Sequence, residues 1–491
     1  MIKQILSRSL AAFLAVLMVV TCAGLSVFAA DSDETAEPEE DLALTTALAE
    51  DGTAAANKSK LEKIKELLDA NSYDEYTLLH TGAEPGSDDV LIDGADFNEA
   101  KTNATVFTDR YLGSDTDVVL ISETGDVTYD FEVKDTGLYN ISITYAPIVK
   151  YDGDGDGQPD LVGNGAVIER ALLLDGTYPF TQSRYIEMTR VWNEEPKGET
   201  NERGFVLDNS GSEIKPNKVE EPEWRTVIAS DSTGYVTEPF QYYIEAGQHT
   251  LTLAEVQEVV AIRSIRIYYD DTLLTYSDYL RQNDAKTDTA AGSEIVKVEA
   301  ETPYRTSTNI IYPTYDRSSA ASSPQSAYNI YLNTIGGTKW QTVGQWIQWT
   351  VSVPADGYYT ITPRFNQSFA EGMYVTRTIA IDGEIPFREA RSLRFKYDDD
   401  WQLKPLTDGV EVNGEERALK FYMTKGEHLI EMSVSLGTMA EVLTEVEGSL
   451  AKINEYYLQI LMLTGSDPDE YRDYKFMRLI PDTIKGLGAE S

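Results

Sequence analysis

The densest run of potential ligands is Asp152-Gly153-Asp154-Gly155-Asp156-Gly157-Gln158-Pro159-Asp160. Its carboxylates fall at loop positions 1, 3, 5 and 9, with glycine at position 6. Hard oxygen donors at this spacing converge on a calcium ion, and the glycine allows the sharp turn. Gln158 would contribute its backbone carbonyl. Position 12 is Gly163, where a helix-loop-helix site carries a bidentate glutamate, and the flanks alternate like strands. The pattern therefore predicts an Asp-rich extracellular calcium loop, with a solvated acidic turn as the competing reading. The histidines point elsewhere. His249 and His428 each follow a glycine turn, Gly247-Gln248-His249 and Gly426-Glu427-His428, so they share a structural role; His80 stands alone. No phosphate loop or Ser/His/Asp constellation is recognisable. Among 82 acidic residues no local motif marks a glycosidase acid or nucleophile. The chain is expected not to be an enzyme.

The elements around these residues are β in period, and they repeat. Val127, Tyr129, Phe131 and Val133 alternate with polar residues, as do Ile347, Trp349, Val351 and Val353. Each run continues into a glycine turn and a second alternating stretch, Gly137-x-Tyr139-x-Ile141 and Gly357-x-Tyr359-x-Ile361. This describes a hairpin with one buried face. A second block matches Arg170, Asp175-Gly176, Pro179-Phe180 and Arg184 to Arg377, Asp382-Gly383, Pro386-Phe387 and Arg391. A third matches Tyr243, Gly247 and His249 to Tyr422, Gly426 and His428. Three blocks in one order make two copies of one module. The spacing between matched blocks places two insertions in copy one, and the smaller holds the Asp-rich loop. Copy one closes with Val260 to Tyr269, a strong strand; copy two has no equivalent before Ser491. Either that strand is replaced or the chain continues in a longer parent protein, and the second is expected.

The fold class predicted is mainly β: two jelly-roll β-sandwich domains in tandem with a C-terminal α-helical segment. The expected boundaries are a signal peptide over 1–30, an acidic disordered linker over 31–56 and a short helix over 57–72. The first module spans 73–275, a linker 276–292, the second module 293–436 and the helical segment 437–491. Leu443, Val446, Leu450, Ile453, Tyr457 and Ile460 form the apolar stripe of that last segment, with Thr438 and Glu441 as a capping box and Gly465 at its C-cap.

Lys3, Arg8, the apolar run Leu10 to Val20 and the Val27-Phe28-Ala29 site read as a cleaved secretion signal. A retained membrane anchor and a lipid anchor on Cys22, the only cysteine, are the competing readings. The expected location is extracellular or at the cell surface. A net charge of −41 repels phosphate backbones, so nucleic acid is excluded as a partner.

The stretch from Val298 to Val353, with Val298-Glu299-Ala300-Glu301 and Gly344-Gln345-Trp346-Ile347-Gln348-Trp349-Thr350, resembles family 6 and family 35 carbohydrate-binding modules. These are galactose-binding-like jelly rolls. Asp382-Gly383 and Gly426-Glu427-His428 also fit, and copy one fits more weakly. The tail, with Tyr471-Arg472-Asp473-Tyr474 and Ile480-Pro481-Asp482, resembles the helices that interrupt the second such module in large clostridial solute-binding proteins of sugar transporters. The resemblance implies polysaccharide or oligosaccharide as ligand and a membrane sugar transporter as a further partner. It implies that Tyr331 and Trp340 line the ligand cleft, and that Glu299 and Glu301 hold a structural calcium. Trp346, on the outward phase, Trp401, after Asp398-Asp399-Asp400, and Asn366 are further candidates for sugar contact. Aromatic rings offer sugars a flat apolar face, and an amide offers hydrogen bonds to hydroxyls. A structural spacer or protein-interaction platform is the main alternative.

Overall fold

Alternation becomes sheet where one face can be buried, and in the first module this happens twice. The computed structural model describes residues 70–490 except 104–105, 271–272, 285, 287–294, 321, 466–467 and 469–470. The signal, the acidic linker and residues 57–69 of the expected helix lie outside the described residues. In copy one Val127–Val133 pairs with Gly247–Gln257, followed by Ile168–Leu174 and Ile186–Met188. The facing sheet runs Arg225–Ile228, Gly137–Pro147, Val260–Tyr268, Val118–Ile121, Val106–Asp109. Tyr129, Phe131, Tyr139, Ile141 and Leu251 are buried between the layers. The inward phase read from the alternation is therefore the core face.

Each module opens with a short helix that lies outside the three repeated blocks. Tyr73–Leu79 is capped by Ser72, with Glu75 completing a capping box. Tyr276–Asn283 is capped by Thr275, which accepts from the Asp278 N–H. The tyrosine pairs reach into the sandwich in the same way. Gln241 and Tyr243 donate backbone N–H groups to the Tyr73 and Tyr76 hydroxyls (2.9 and 2.7 Å). Lys420 and Tyr422 donate to those of Tyr276 and Tyr279 (3.0 and 2.7 Å). The rings pack on Phe180 and Phe387, respectively. The second module therefore starts inside the stretch expected as a linker.

The second module is not self-contained. Its large sheet runs Asn217–Glu220, Trp192–Glu195, Arg305–Thr306, Trp346–Val353, Gly426–Ser435, Tyr374–Ile381, Leu393–Lys396. The first two strands come from the larger insertion of copy one, joined where Trp192 pairs with Thr306. The expected boundary at 275 divides the sequence but not the sheet. The opposite layer consists of short pairs, 357–359 with 421–423, 364–365 with 402–403, and 407–412 with 415–418. The helix Met439–Thr464 follows and ends at Gly465, whose φ of 72° suits glycine. Thr438 makes no capping bond. Its hydroxyl instead meets Tyr374 and Arg394, so the expected capping box does not form. Pro481–Glu490 packs along the long helix at Tyr456 and Gln459, while Val446 and Tyr457 of the expected stripe stay exposed.

Candidate functional site

Strand register decides which loops meet. Trp346 faces Ser433, Thr376 faces Ser435, and Tyr374 faces Lys396. The segments before Trp346 and Tyr374 and after Lys396 and Ser435 thus emerge at one end of the second sandwich. Asp398 donates its N–H to the Gln367 carbonyl (3.0 Å), which joins loop 397–401 to loop 366–373. The Trp401 indole donates to Asp316 Oδ2 (2.6 Å), which joins both to the long excursion 307–335. Burial pushes the Asp316 carboxyl up, but the Ser318 and Trp401 donors outweigh it and hold it below its ordinary range. Trp401 is half-buried, with its edge pinned and its position fixed.

Copy one walls this end. Glu213, from its larger insertion, donates its N–H to the Ile330 carbonyl (2.9 Å) and accepts from the Leu332 N–H (2.8 Å). Its carboxylate takes Arg203 through both oxygens at 2.7 Å. Arg203 also bonds the Leu332 carbonyl (2.7 Å) and Glu301 (2.5 Å), and its guanidinium lies 5.9 Å from the Tyr331 ring centroid.

The candidates therefore separate. Trp346 is a correction: it is 3% exposed and faces the first module. Its indole donates to Thr189 Oγ1 (3.0 Å), and Arg225 lies 4.3 Å from its ring centroid. Outward phase meant solvent only if nothing docked there, and the first module docks there. Trp340 is half-buried, edge-on to Trp349 at 6.4 Å and 73°, with the Arg377 guanidinium 4.5 Å from its ring. Burial lowers the Arg377 pKa to about 10. That ring is committed to packing. Tyr331 is half-buried under Arg203. Asn366 is exposed and accepts from the Ser368 hydroxyl (2.9 Å).

Three rings that sequence reasoning passed over are open. Tyr328 is 93%, Phe369 77% and Tyr315 55% exposed, all in the loops that Trp401 ties together. Gln367 Oε1 accepts the N–H groups of Phe369 and Ala370 (3.0 Å each), and Ser326 Oγ accepts those of Tyr328 and Asn329. The backbone is held while the rings face water. The available signal was their position in Ser/Asn/Gly-rich loops with no alternation to bury them.

The Asp-rich loop closes a two-residue ladder, Lys150–Tyr151 with Leu161–Val162. Asp152, Asp154 and Asp156 each bring a carboxylate oxygen within 4.8 Å of the others. Asp160 instead accepts the Gly153 N–H (2.8 Å) and staples the loop. Asp152 accepts Gly155 and Gly157, and Asp156 accepts the Gln158 N–H (2.6 Å). Three of the five expected ligands thus converge. Glu299 and Glu301 do not form a comparable set. Lys297 pairs with Glu299, and Glu301, 3% exposed, faces Arg203. A guanidinium neutralises Glu301 where the resemblance placed a cation.

The two histidines have equivalent settings. His249 bonds Asp175 (2.7 Å) and the Glu245 carbonyl, and His428 bonds Asp382 (2.6 Å) and the Thr424 carbonyl. Both ring nitrogens face acceptors, the pattern of an imidazolium. Burial pushes each pKa down, but these acceptors outweigh it and raise both. Asp175 and Asp382 stand at φ 50° and 55°, a left-handed turn that aspartate tolerates.

No protein-family model matches the chain, and no curated protein matches it. Among solved structures, it is similar to a GH26-CBM35 β-(1,4)-mannanase of Podospora anserina, at 15% identity over 40% of this chain and 34% of that one (TM-score 0.20). An exo-β-1,3-galactanase of Phanerochaete chrysosporium aligns at 10% identity over 37% and 30% (TM-score 0.20). A family 35 carbohydrate-binding module of Clostridium thermocellum aligns at 6% over 38% of this chain and all of that one (TM-score 0.20). The chain spans about a third of the length of the two enzymes.

Proposed function

We propose that this is a non-catalytic carbohydrate-binding protein, exported as part of a surface sugar-capture or sugar-transport component. Glycan docks on the loop end of the second module. The observation that carries this reading is the exposure of Tyr328, Phe369 and Tyr315 in loops that the Trp401–Asp316 and Asp398–Gln367 bonds join. Single exposed apolar residues are ordinary, so the reading rests on the three rings lying in loops that are joined to one another. One stacked sugar face hides ~100 Å² of apolar surface and yields ~2.5 kcal/mol. Two rings give ~5 kcal/mol, hence binding somewhat tighter than ~1 mM. Glycan-array binding with Tyr328→Ala and Phe369→Ala tests it, and both substitutions should weaken retention. Calcium at Asp152, Asp154 and Asp156 belongs to the same proposal as a structural ion, since three converged carboxylates repel one another until a cation joins them.

A rigid spacer is the second reading. The continuous sheet through Trp192 and Thr306 favours it, because the modules cannot swing freely. An array silent on every plant and host polysaccharide would select it.

A further inference from the structure

The larger insertion of copy one carries a feature that the internal repeat does not. Its two strands, Trp192–Glu195 and Asn217–Glu220, pair as far as Glu195 opposite Asn217. Pro196 and Pro216 come next at the open end, and because proline has no N–H the ladder stops there. The chain between them folds back on itself. Ile214 donates its N–H to the Val206 carbonyl and Asn201 to that of Phe205, each at 2.8 Å. Between this fold and the strand ends lies a cavity of about 90 Å³.

The lining is mostly apolar: Phe205, Val206, Ile214 and the two prolines. Phe205 is buried, whereas Ile214 is 45% exposed, so the cavity reaches the surface. The remaining side chains are Asn217, Lys197 and Lys215, and no acidic residue takes part. In a chain with 82 acidic and 41 basic residues, two cations and no anion run against the composition. The neighbouring cations are already matched. Arg203 holds Glu213 and Glu301, and Lys218 faces Glu194 at 3.2 Å. Lys197 and Lys215 are exposed, and among the described residues neither forms an ion pair. The Lys215 ammonium rests 3.2 Å from the centroid of the Tyr312 ring, which helps to hold the charge in place. Tyr312 belongs to the excursion 307–335 that also carries Tyr315 and Tyr328.

Charge, polarity and volume together select the ligand. Two ammonium groups with no carboxylate favour an anion. Apolar walls leave most of a phosphate or sulfate without hydrogen bonds, which is costly, so the anion must carry an apolar body of its own. The volume is well below the ~150 Å³ that holds a benzene ring. A sugar ring is therefore too large, and a chain of roughly two to four carbons fits.

We propose that this cavity binds a short-chain carboxylate of the lactyl or pyruvyl kind. Its carboxylate meets Lys197 and Lys215, and its methyl group lies against Phe205 and Val206. The group arrives as a free acid or as a substituent on a glycan.

Saturation-transfer NMR on the full chain tests this, with L-lactate as the probe. The lactate methyl protons should receive saturation, and binding should saturate at millimolar concentration, since exposed ion pairs are weak. Lactamide has the same shape without the charge and should bind about ten-fold more weakly. Lys197→Gln and Lys215→Gln should each weaken lactate about two- to five-fold, and the double variant about ten-fold, at unchanged melting temperature. Arginine at both positions should restore binding. N-acetylmuramic acid and N-acetylglucosamine differ only in a lactyl group, so they identify the source. Preference for the first over both the second and free lactate assigns the cavity to a glycan substituent; lactate bound with N-acetylmuramic acid refused assigns it to a free acid. Tyr328→Ala should leave lactate binding intact, which separates this site from the glycan surface. No saturation transfer to lactate, equal binding of lactamide, or undiminished lactate binding by the double variant overturns the proposal. So does inorganic phosphate that displaces lactate at equal concentration, which would reduce the two lysines to a bare charged surface.

Discussion

Replacing Trp346 by alanine should destabilise the protein without touching the proposed glycan surface. The ring is 3% exposed, its indole donates to Thr189 (3.0 Å), and Arg225 lies over it at 4.3 Å. Emptying a buried tryptophan site costs about 3–5 kcal/mol. The hydrogen bond accounts for about 1 kcal/mol of that, and the cation–π contact contributes about as much again. For a module of this size the loss is on the order of 10 °C in melting temperature. Trp346→Phe keeps the ring but drops the donor, so it should cost about 1–2 kcal/mol, the unpaired Thr189 included. Arg225 keeps its pair with Glu431 (2.9 Å) in both variants, so no buried charge is stranded. Calorimetry and denaturant titration read the difference, and Thr189→Val should approach Trp346→Phe. A Trp346→Ala melting point within 1–2 °C of the parent would refute the interface. Weakened glycan binding at unchanged stability would make this ring a sugar platform after all.

Other outcomes follow from the same geometry. His249 and His428 have raised pKa values, so their stabilisation is complete below the unfolded value of about 6.5 and is lost as pH rises through the folded one. The melting temperature should therefore fall as pH rises above the unfolded value of about 6.5, and His428→Gln should flatten that fall; an unchanged slope contradicts the imidazolium assignment. Tyr279→Phe leaves the Tyr422 N–H without its acceptor and should cost about 1–3 kcal/mol, with Tyr76→Phe costing the first module a similar amount. Calcium should raise the melting temperature of the parent but not of Asp154→Ala; equal curves would leave the Asp-rich loop a solvated turn.

The alternating runs were legible because a strand with one buried face must repeat with period two, and Tyr129, Phe131 and Tyr139 are buried as their phase requires. The Asp-rich spacing was equally local, and three of its carboxylates converge. The tyrosine helices were readable in principle. Ser72-Tyr73-x-x-Tyr76 and Thr275-Tyr276-x-x-Tyr279 form a fourth repeat block, too short and too sparse in shared residues to stand out beside the strand blocks. The pairing of Trp192 with Thr306 was not legible, since nothing local in either strand names a partner more than a hundred residues away. Trp346 was misplaced for the same reason. Alternation fixes which face a residue occupies but not whether another module covers it. The loop aromatics had only a weak signal, their place in polar loops without alternation, and the exposure of Tyr328 and Phe369 shows only in the assembled end of the sandwich.

Glycan binding by the purified mature protein, compared with a Tyr328→Ala/Phe369→Ala double variant of unchanged melting temperature, tests the central claim most directly. Each ring carries ~2.5 kcal/mol of stacking, so the double variant should lose binding by at least a hundred-fold. Binding that survives both substitutions would contradict the assignment of the second module's loop end as the sugar site.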